Sequence, residues 1–594
     1  VLNEFQSFAL QRFTSSNRNL VVLAPTGVGK TFFAQYVSSL ASSSVLYAVP
    51  LKSLVYEIVD RFNSVFFHGE NAVALLSEAY EEEPEDVRAK VIVSSYEKSD
   101  GVTRRNYKWL DNVKLLVVDE IHNLSYKERS RAIENLVMWA KDNNVRVLAM
   151  SGTLPWADQL SSWLDADLVR WDKRPVPLFK FVQVGNTLVS SDGEVISVKG
   201  DLMRKLVKRN KVVMIFANTR KRAETLYMMY SRVLGDRVAY VHSGLDPGTR
   251  KRIIQDTLQG RYNVLVSTTA LGQGVNLPFY AVIFDDLRLP VVEEGHFVGW
   301  RHMDPLEFDQ ICGRAGRPGF DEEGMCIIHA ENMKEAKLLA KRYLAWNPPP
   351  LDTRYPLKDM VLVVMSRLVY APLDRIVKNV RYSYTHRGAS EKEVESILDS
   401  LVDHGFVASD GDGYSITGKG IAVSYSYIDV DTAFYYIDTL ETGRNFKEAI
   451  LSSVKVQESA KGKNLAGVLE AWVTGVDEKF ILNQMENFTR SDLLRFVDTV
   501  AWQAFSLYRL AKVLDKGDAN AILRFYMEVK HGVPFGALSL VELPGIGRKH
   551  ALDLYNAGVH NKRELCEKLD VTTRILGDKV VKYLCRQTRS QTRL

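Results

Sequence analysis

Cysteine is scarce in this chain: Cys312, Cys326, Cys566 and Cys585 are the only four in 594 residues, and no two are spaced C-x-x-C. That excludes a disulfide-framework protein and the usual zinc spacings, and free thiols are expected. With no cysteine in the first domain, an iron–sulfur cluster is excluded there too. No uninterrupted apolar run reaches the roughly 18 residues that a membrane-spanning helix needs, so no membrane partner is expected. The opening Val1-Leu2-Asn3-Glu4-Phe5-Gln6 lacks a basic n-region and an apolar h-region, which predicts a cytoplasmic protein. Repeats of fixed period and low-complexity tracts are also absent. Charge of one sign is nearly lacking, with 77 Lys and Arg against 72 Asp and Glu for a net +5. Its placement is informative, because residues 536–594 hold eleven basic against six acidic side chains and so carry the whole excess. That end is expected to bind phosphate.

What the chain does have is length and alternation. At about 150 residues per domain it is too long for one core. Short apolar runs at 20–24, 45–49, 91–94, 115–118 and 146–150 alternate with helix-patterned stretches, which predicts a parallel sheet covered on both faces. The pattern restarts at 212–216, 238–241, 264–266 and 281–284, a second α/β domain, with Pro175 and Pro177 at the junction. Pro348-Pro349-Pro350 ends it. Residues 358–404 then read as three short helices and 405–420 as a glycine-punctuated hairpin, together a winged helix. Helical periodicity dominates 426–530, and Leu543-Pro544-Gly545-Ile546-Gly547 reads as a helix-hairpin-helix turn. The expected domains are 1–172, 173–347, 348–425, 426–534 and 535–594.

Chemistry enters at Ala24-Pro25-Thr26-Gly27-Val28-Gly29-Lys30-Thr31, directly after the first apolar run. It has the ending of a P-loop, in which glycines let backbone N–H groups close on phosphates, Lys30 reaches the β/γ oxygens and Thr31 ligates Mg²⁺. Ala24 stands where the strict pattern has glycine. Asp119-Glu120 follows the run Val117-Val118, where a P-loop motor places its second acidic motif. Asp119 would hold Mg²⁺ and Glu120 would polarise the attacking water. Arg314 and Arg317 of Gln310-Ile311-Cys312-Gly313-Arg314-Ala315-Gly316-Arg317 can meet the γ-phosphate as fingers supplied in cis.

Taken together these motifs resemble the superfamily-two DExH helicases, and within them the Ski-like branch that includes archaeal Hjm and animal HelQ. The resemblance runs nearly the whole length and implies two RecA-like motor domains followed by a winged helix, a helical ratchet domain and a helix-hairpin-helix. It implies that Gln6 reads adenine, that Gln310 partners the attacking water and that His122 bonds across the cleft to link the two motor domains. Pro50-Leu51-Lys52 and Ser95-Tyr96-Glu97-Lys98 look like strand-contacting motifs, which makes Lys52 and Lys98 phosphate contacts. Ser151-Gly152-Thr153 resembles the motif that couples hydrolysis to movement. Thr219, Arg220 and Thr268 fall in the fourth and fifth motifs.

Residues 287–300 read as strand, acidic turn and strand, where relatives place a strand-separating hairpin. Phe297 and Trp300 can cap an exposed base pair. In the predicted helix 492–514, Arg495 and Trp502 lie seven apart on one face, suited to a phosphate and a base. The ratchet helix of the Ski-like branch carries the same pair. Gly545, Gly547 and Lys549 can meet a backbone phosphate.

The resemblance therefore implies an ATP- and Mg²⁺-dependent DNA helicase moving 3′ to 5′, a monomer acting on single-stranded and forked DNA beside the nucleoid, with repair or replication proteins as partners. Two alternatives remain at this point. One is an RNA helicase of the same branch, although 371–425 leaves no room for the long arch of exosome-associated members. The other is a non-catalytic DNA-binding scaffold.

Overall fold

Apolar strands that alternate with amphipathic helices build one parallel sheet and one that is parallel except at an antiparallel edge. The computed structural model describes the chain except residues 1, 70, 153, 199–201, 209–210, 243, 246, 269–278, 294–295, 317–318, 320, 346–350, 352, 455–463, 486–487, 489 and 592–594, and among 291–299 it describes no side chain. The first sheet contains β1 (Asn19–Leu23), β2 (Ser44–Val49), β3 (Ala72–Leu75), β4 (Val91–Ser95), β5 (Val113–Val118), β6 (Arg146–Ser151) and β7 (Ala166–Arg170). Their order is β3-β4-β2-β5-β6-β1-β7, all parallel. Successive strand residues face opposite sides: Val21, Leu46, Leu116 and Val147 pack into one core, and Val22, Val45, Val117 and Leu148 into the other. A strand buried on both faces reads as a continuous apolar run. For that reason β1, β2, β4, β5 and β6 are visible in the sequence, whereas the edge strands β3 and β7, only partly buried, are not.

The second sheet contains β8 (Leu178–Val184), β9 (Thr187–Val189), β10 (Val195–Ser197), β11 (Val213–Phe216), β12 (Val238–Val241), β13 (Val264–Ser267), β14 (Ala281–Phe284) and a strand Gly324–His329. Between those last two come β15 (Arg288–Glu293) and β16 (His296–His302), a separate two-stranded sheet, so Gly324–His329 is β17. The order is β10-β9-β8-β17-β14-β11-β13-β12, parallel from β8 to β12 and antiparallel through β8-β9-β10.

Three helices (Leu357–Leu368, Leu373–Arg381, Glu391–Asp403) and a three-stranded sheet of Tyr370–Ala371, Val407–Ser409 and Tyr414–Ile416 form the winged helix. Its seat on the first motor domain is polar and buried. The Asp100 carboxylate accepts from Arg104 Nη2 at 2.6 Å, Asn135 Nδ2 at 3.0 Å and Arg367 Nη2 at 3.3 Å. Glu134 accepts from the Thr385 amide and hydroxyl, and Trp163 Nε1 donates to the Tyr382 carbonyl at 2.8 Å. Burial pushes the Asp100 carboxyl up, but Arg104 and Arg367 outweigh it and hold it below its ordinary value.

Two compact units are resolved by contact, Val1–Val291 with Val298–Gly420, and Val292–Phe297 with Ile421–Leu594. The second unit is helical, with Arg490–Leu514 its longest described helix. The helices Leu538–Val541 and Arg548–Asn556 flank the turn at Gly545, which adopts φ +82°. Arg548 closes this part of the fold by donating to the carbonyls of Gly532 (2.7 Å), Val476 (2.8 Å) and Trp472 (3.3 Å) while lying over the Trp472 ring.

The free-thiol expectation is overturned. Cys312 pairs with Cys326 and Cys566 with Cys585, at Cα separations of 5.5 and 5.7 Å. Chain spacing gave no sign of it, because the first bridge joins a helix end to a neighbouring strand and the second joins two tail helices.

Candidate nucleotide and nucleic-acid site

The P-loop follows β1, and Ala24 continues the ladder by donating to the Ser151 carbonyl at 3.1 Å. Gly27 and Gly29 adopt φ +87° and +94°, which other residues rarely reach. Lys30 is buried, its Nζ donating to the carbonyls of Ala24 (2.6 Å) and Pro25 (3.1 Å). Burial lowers its pKa, and the charges of Glu120 and Asp119 oppose that. Thr31 is half-buried at the start of the helix Lys30–Leu40.

Gln6 lies against this loop. With Asn3 it forms a capping box on the helix Glu4–Ser15, and its Nε2 donates to the Gly29 carbonyl at 3.3 Å. Asn3 Nδ2 donates to the Val28 carbonyl at 2.9 Å. A Cβ on Gly29 would come within 2.4 Å of Gln6 Nε2. The glycine is needed for this close approach. Asn3-Glu4-Phe5-Gln6 is the stretch that resembles the adenine-reading motif, in which Gln6 alone is expected to act; the contact of Asn3 with the P-loop is seen only in the structure.

Asp119 and Glu120 follow β5. The Asp119 carboxylate accepts from the Glu120 amide (3.0 Å) and, more weakly, from the Tyr47 hydroxyl (3.4 Å). Burial and the adjacent Glu120 push the Asp119 carboxyl up. Glu120 takes a left-handed backbone conformation, φ +53° and ψ +50°, which costs a non-glycine residue energy. Partial burial would raise its carboxyl, yet the His122 hydrogen bond, with Lys30 and Arg314, holds it below its ordinary value.

The orientation of His122 follows from its neighbours. Arg129 donates to Asn123 Oδ1 at 2.7 Å, which turns Asn123 Nδ2 toward His122 Nε2 at 3.2 Å. Nε2 must accept, so the proton sits on Nδ1, which lies 3.1 Å from Glu120 Oε2 and 3.0 Å from Ser151 Oγ. His122 therefore ties the acidic turn to the end of β6. Its partners in this structure, Glu120, Ser151 and Asn123, all belong to the first motor domain. The β6 strand stands between β1 and β5, which places Ser151 within reach of both motifs. Sequence reading missed Asn123 and Arg129, whose residue types carry no signal of their own.

From the second motor domain, the helix Pro305–Cys312, capped by Asp304, carries Gln310 and leads to Arg314, whose charge reaches Glu120. Gln310 Nε2 is buried without a hydrogen-bond partner, an orphan donor suited to a ligand oxygen. Burial lowers the Arg314 pKa against the opposing charge of Glu120. A Cβ on Gly313 would lie 3.0 Å from Thr26 Oγ1, so the finger turn and the P-loop are in contact. Arg317 and Thr153 lie outside the described residues.

The strand-contact residues divide. Lys98 is a correction, being 1% exposed, with its ammonium paired to Glu83 at 2.7 Å and donating to the carbonyls of Glu78 and Glu81. It is buried to secure the loop 78–83 and faces no strand. Lys52 is half exposed and paired with Glu78. Thr219 caps the helix Arg220–Leu234, Arg220 begins it, and Thr268 follows β13 and is buried. Trp300 is half exposed on β16, and the Phe297 side chain lies outside the described residues. Arg495 is exposed on its helix, and Trp502 is half-buried with Nε1 donating to the Ser426 carbonyl at 2.7 Å. Gly545, Gly547 and Lys549 are exposed, with nothing within 4 Å of a Cβ placed on either glycine.

Comparison with known proteins agrees with this geometry. Residues 3–160 match the DEAD/DEAH box helicase family, and 198–319 match the helicase conserved C-terminal domain. The chain is 45% identical to "Putative helicase 7" of Sulfolobus islandicus filamentous virus, over 98% of this chain and 99% of that protein. It is 29% identical to the ATP-dependent DNA helicase Hel308 of Aeropyrum pernix over 95% of this chain and 88% of the other. For the Hel308 of Pyrococcus horikoshii the figures are 26%, 98% and 94%.

Proposed function

Because this chain belongs to the superfamily-two DExH helicases, in the Ski-like branch that holds the Hel308 type, we propose that it hydrolyses ATP to move 3′ to 5′ along single-stranded DNA and to unwind forked or branched duplexes. The observation that carries the reading is the meeting of Lys30, Asp119 and Glu120 with the orphan amide of Gln310 and with Arg314 around one glycine loop. Each has a role in ATP hydrolysis, and few other reactions call for the whole set.

Thr31 and Asp119 would hold a Mg²⁺ ion, a hydroxyl and a buried carboxylate being hard oxygen donors of the kind it takes. Bound there, the ion would neutralise charge between the β- and γ-phosphates. In the protein itself, Lys30 exchanges the Ala24 and Pro25 carbonyls for phosphate oxygens. Glu120, kept ionised by the His122 Nδ1 proton, orients the attacking water and draws its proton. Gln310 supplies a second partner to that water, and Arg314 stabilises the charge that develops on the γ-phosphate.

On the nucleic-acid side, Arg495 and Trp502 on one helix face, the β15–β16 hairpin with Trp300, and the basic tail with Gly545, Gly547 and Lys549 are the proposed strand contacts. The proposed setting is the cytoplasm at stalled or forked replication structures, with the enzyme acting as a monomer beside repair or replication proteins. Unwinding of matched DNA and RNA forks bearing 3′ or 5′ tails tests substrate and polarity together. Preference for RNA, or for 5′ tails, would overturn the reading.

A further inference from the structure

The segment that joins the two motor domains is pinned at both ends to the nucleotide cleft. The Trp171 amide donates to the Leu23 carbonyl at 2.9 Å, one residue before the P-loop, and the Gly324 amide donates to the Pro177 carbonyl at 2.7 Å. Midway between these anchors lies Arg174, which no motif singles out. Its Nη2 donates to the carbonyls of Gly313 (3.2 Å) and Ala315 (3.0 Å), the residues on either side of Arg314, and its Nε donates to the Val176 carbonyl at 3.2 Å. Val176 in turn packs on the same turn, since a Cβ on Gly316 would lie 2.8 Å from its Cγ1. From the opposite side, Phe279 fixes the turn by accepting from the Gly316 amide (2.7 Å) and donating to the Arg314 carbonyl (3.0 Å).

The geometry points to Arg174 as a positioning residue for ATP hydrolysis: a linker guanidinium that grips both carbonyls flanking Arg314 and so aims the finger at the γ-phosphate. The inference rests on the reading of Arg314 as the finger. Arg174 belongs to neither sheet, and any rotation of one motor domain on the other passes through its segment. Finger alignment is thereby tied to the state of the joint.

The test compares Arg174→Met, Arg174→Lys, Arg314→Ala and the double variant Arg174→Met with Arg314→Ala, reading DNA-stimulated kcat and the Kd of a fluorescent ATP analogue. A misplaced reacting group costs on the order of 100-fold, so Arg174→Met is expected to lose about 10- to 100-fold in kcat. The Kd should stay within roughly threefold, because the guanidinium touches backbone and no phosphate. Arg174→Lys, which keeps N–H donors and charge, should recover part of the loss. The double variant should be no slower than Arg314→Ala alone, since an absent finger needs no aiming. Unchanged kcat in Arg174→Met overturns the inference, as does weakening of ATP binding in proportion to kcat, or a loss that multiplies with that of Arg314→Ala. Should Arg174→Met melt early, the smaller Arg174→Lys change is read by the same double-variant comparison. Wild-type turnover in Arg314→Ala would instead remove the finger reading itself, and the inference with it.

Discussion

Lys98 separates two accounts of a motif lysine, and Lys98→Met decides between them. The ammonium is buried, ion-paired to Glu83 at 2.7 Å and bonded to two carbonyls of the loop 78–83. Glu83 is itself only 10% exposed, so removing Lys98 takes the cation from a nearly buried carboxylate, which keeps the bond from the Ser77 hydroxyl. Breaking such a pair costs about 3–5 kcal/mol, enough to loosen a loop also held by Arg105 at the carbonyls of Ala79 and Tyr80 and by the Tyr107 hydroxyl, which accepts from the Glu83 amide. The expected result is a lower first melting transition and faster proteolysis within 76–90, while the salt dependence of single-stranded DNA binding is unchanged. A phosphate contact would behave oppositely. Each neutralised phosphate contributes about 0.7 to the slope of log K against log salt on single strands. A slope reduced by that amount, with melting and proteolysis as in the wild type, would refute the structural account of Lys98.

Glu120→Gln should bind ATP at close to wild-type affinity and lose at least about 100-fold in turnover, since an amide draws no proton; near-normal turnover removes Glu120 from its role. Trp502→Phe gives up the bond to the Ser426 carbonyl, about 0.5–1.5 kcal/mol, but keeps an aromatic face, whereas Trp502→Ala also loses a base stack of about 1–3 kcal/mol. If both reduce melting temperature and DNA affinity equally, Trp502 is a core residue. Truncation before Phe535 should flatten the salt dependence of DNA binding and leave ATPase at saturating DNA, while lowering melting temperature because Arg548 and its three carbonyl bonds are lost; an unchanged salt slope sinks the phosphate-binding role of the tail. Reduction of the two disulfides, which close 14- and 19-residue separations, should destabilise by about 3 kcal/mol each on loop entropy, and a non-reducing peptide map without cross-linked peptides refutes the pairing.

The linear sequence determined the parts whose chemistry is local. A glycine before Lys30, an acidic pair after an apolar strand, arginines after a helix and glycines in the 543–547 turn are fixed by backbone reach, strand burial and φ preference within a few residues. The central strands could be read for the same reason, being apolar on both faces, and the half-buried edges β3 and β7 could not. Partner choice was decided by tertiary structure. Nothing near Lys98 in the chain announces burial against Glu83, nothing near Cys312 announces Cys326 across a helix and a strand, and His122 finds Ser151 only because β6 lies between β1 and β5. Arg174 is the clearest case, its two carbonyls lying 139 and 141 residues away. Over such separations the chain specifies which groups are available, and burial, which makes an unpaired polar group costly, selects which of them meet.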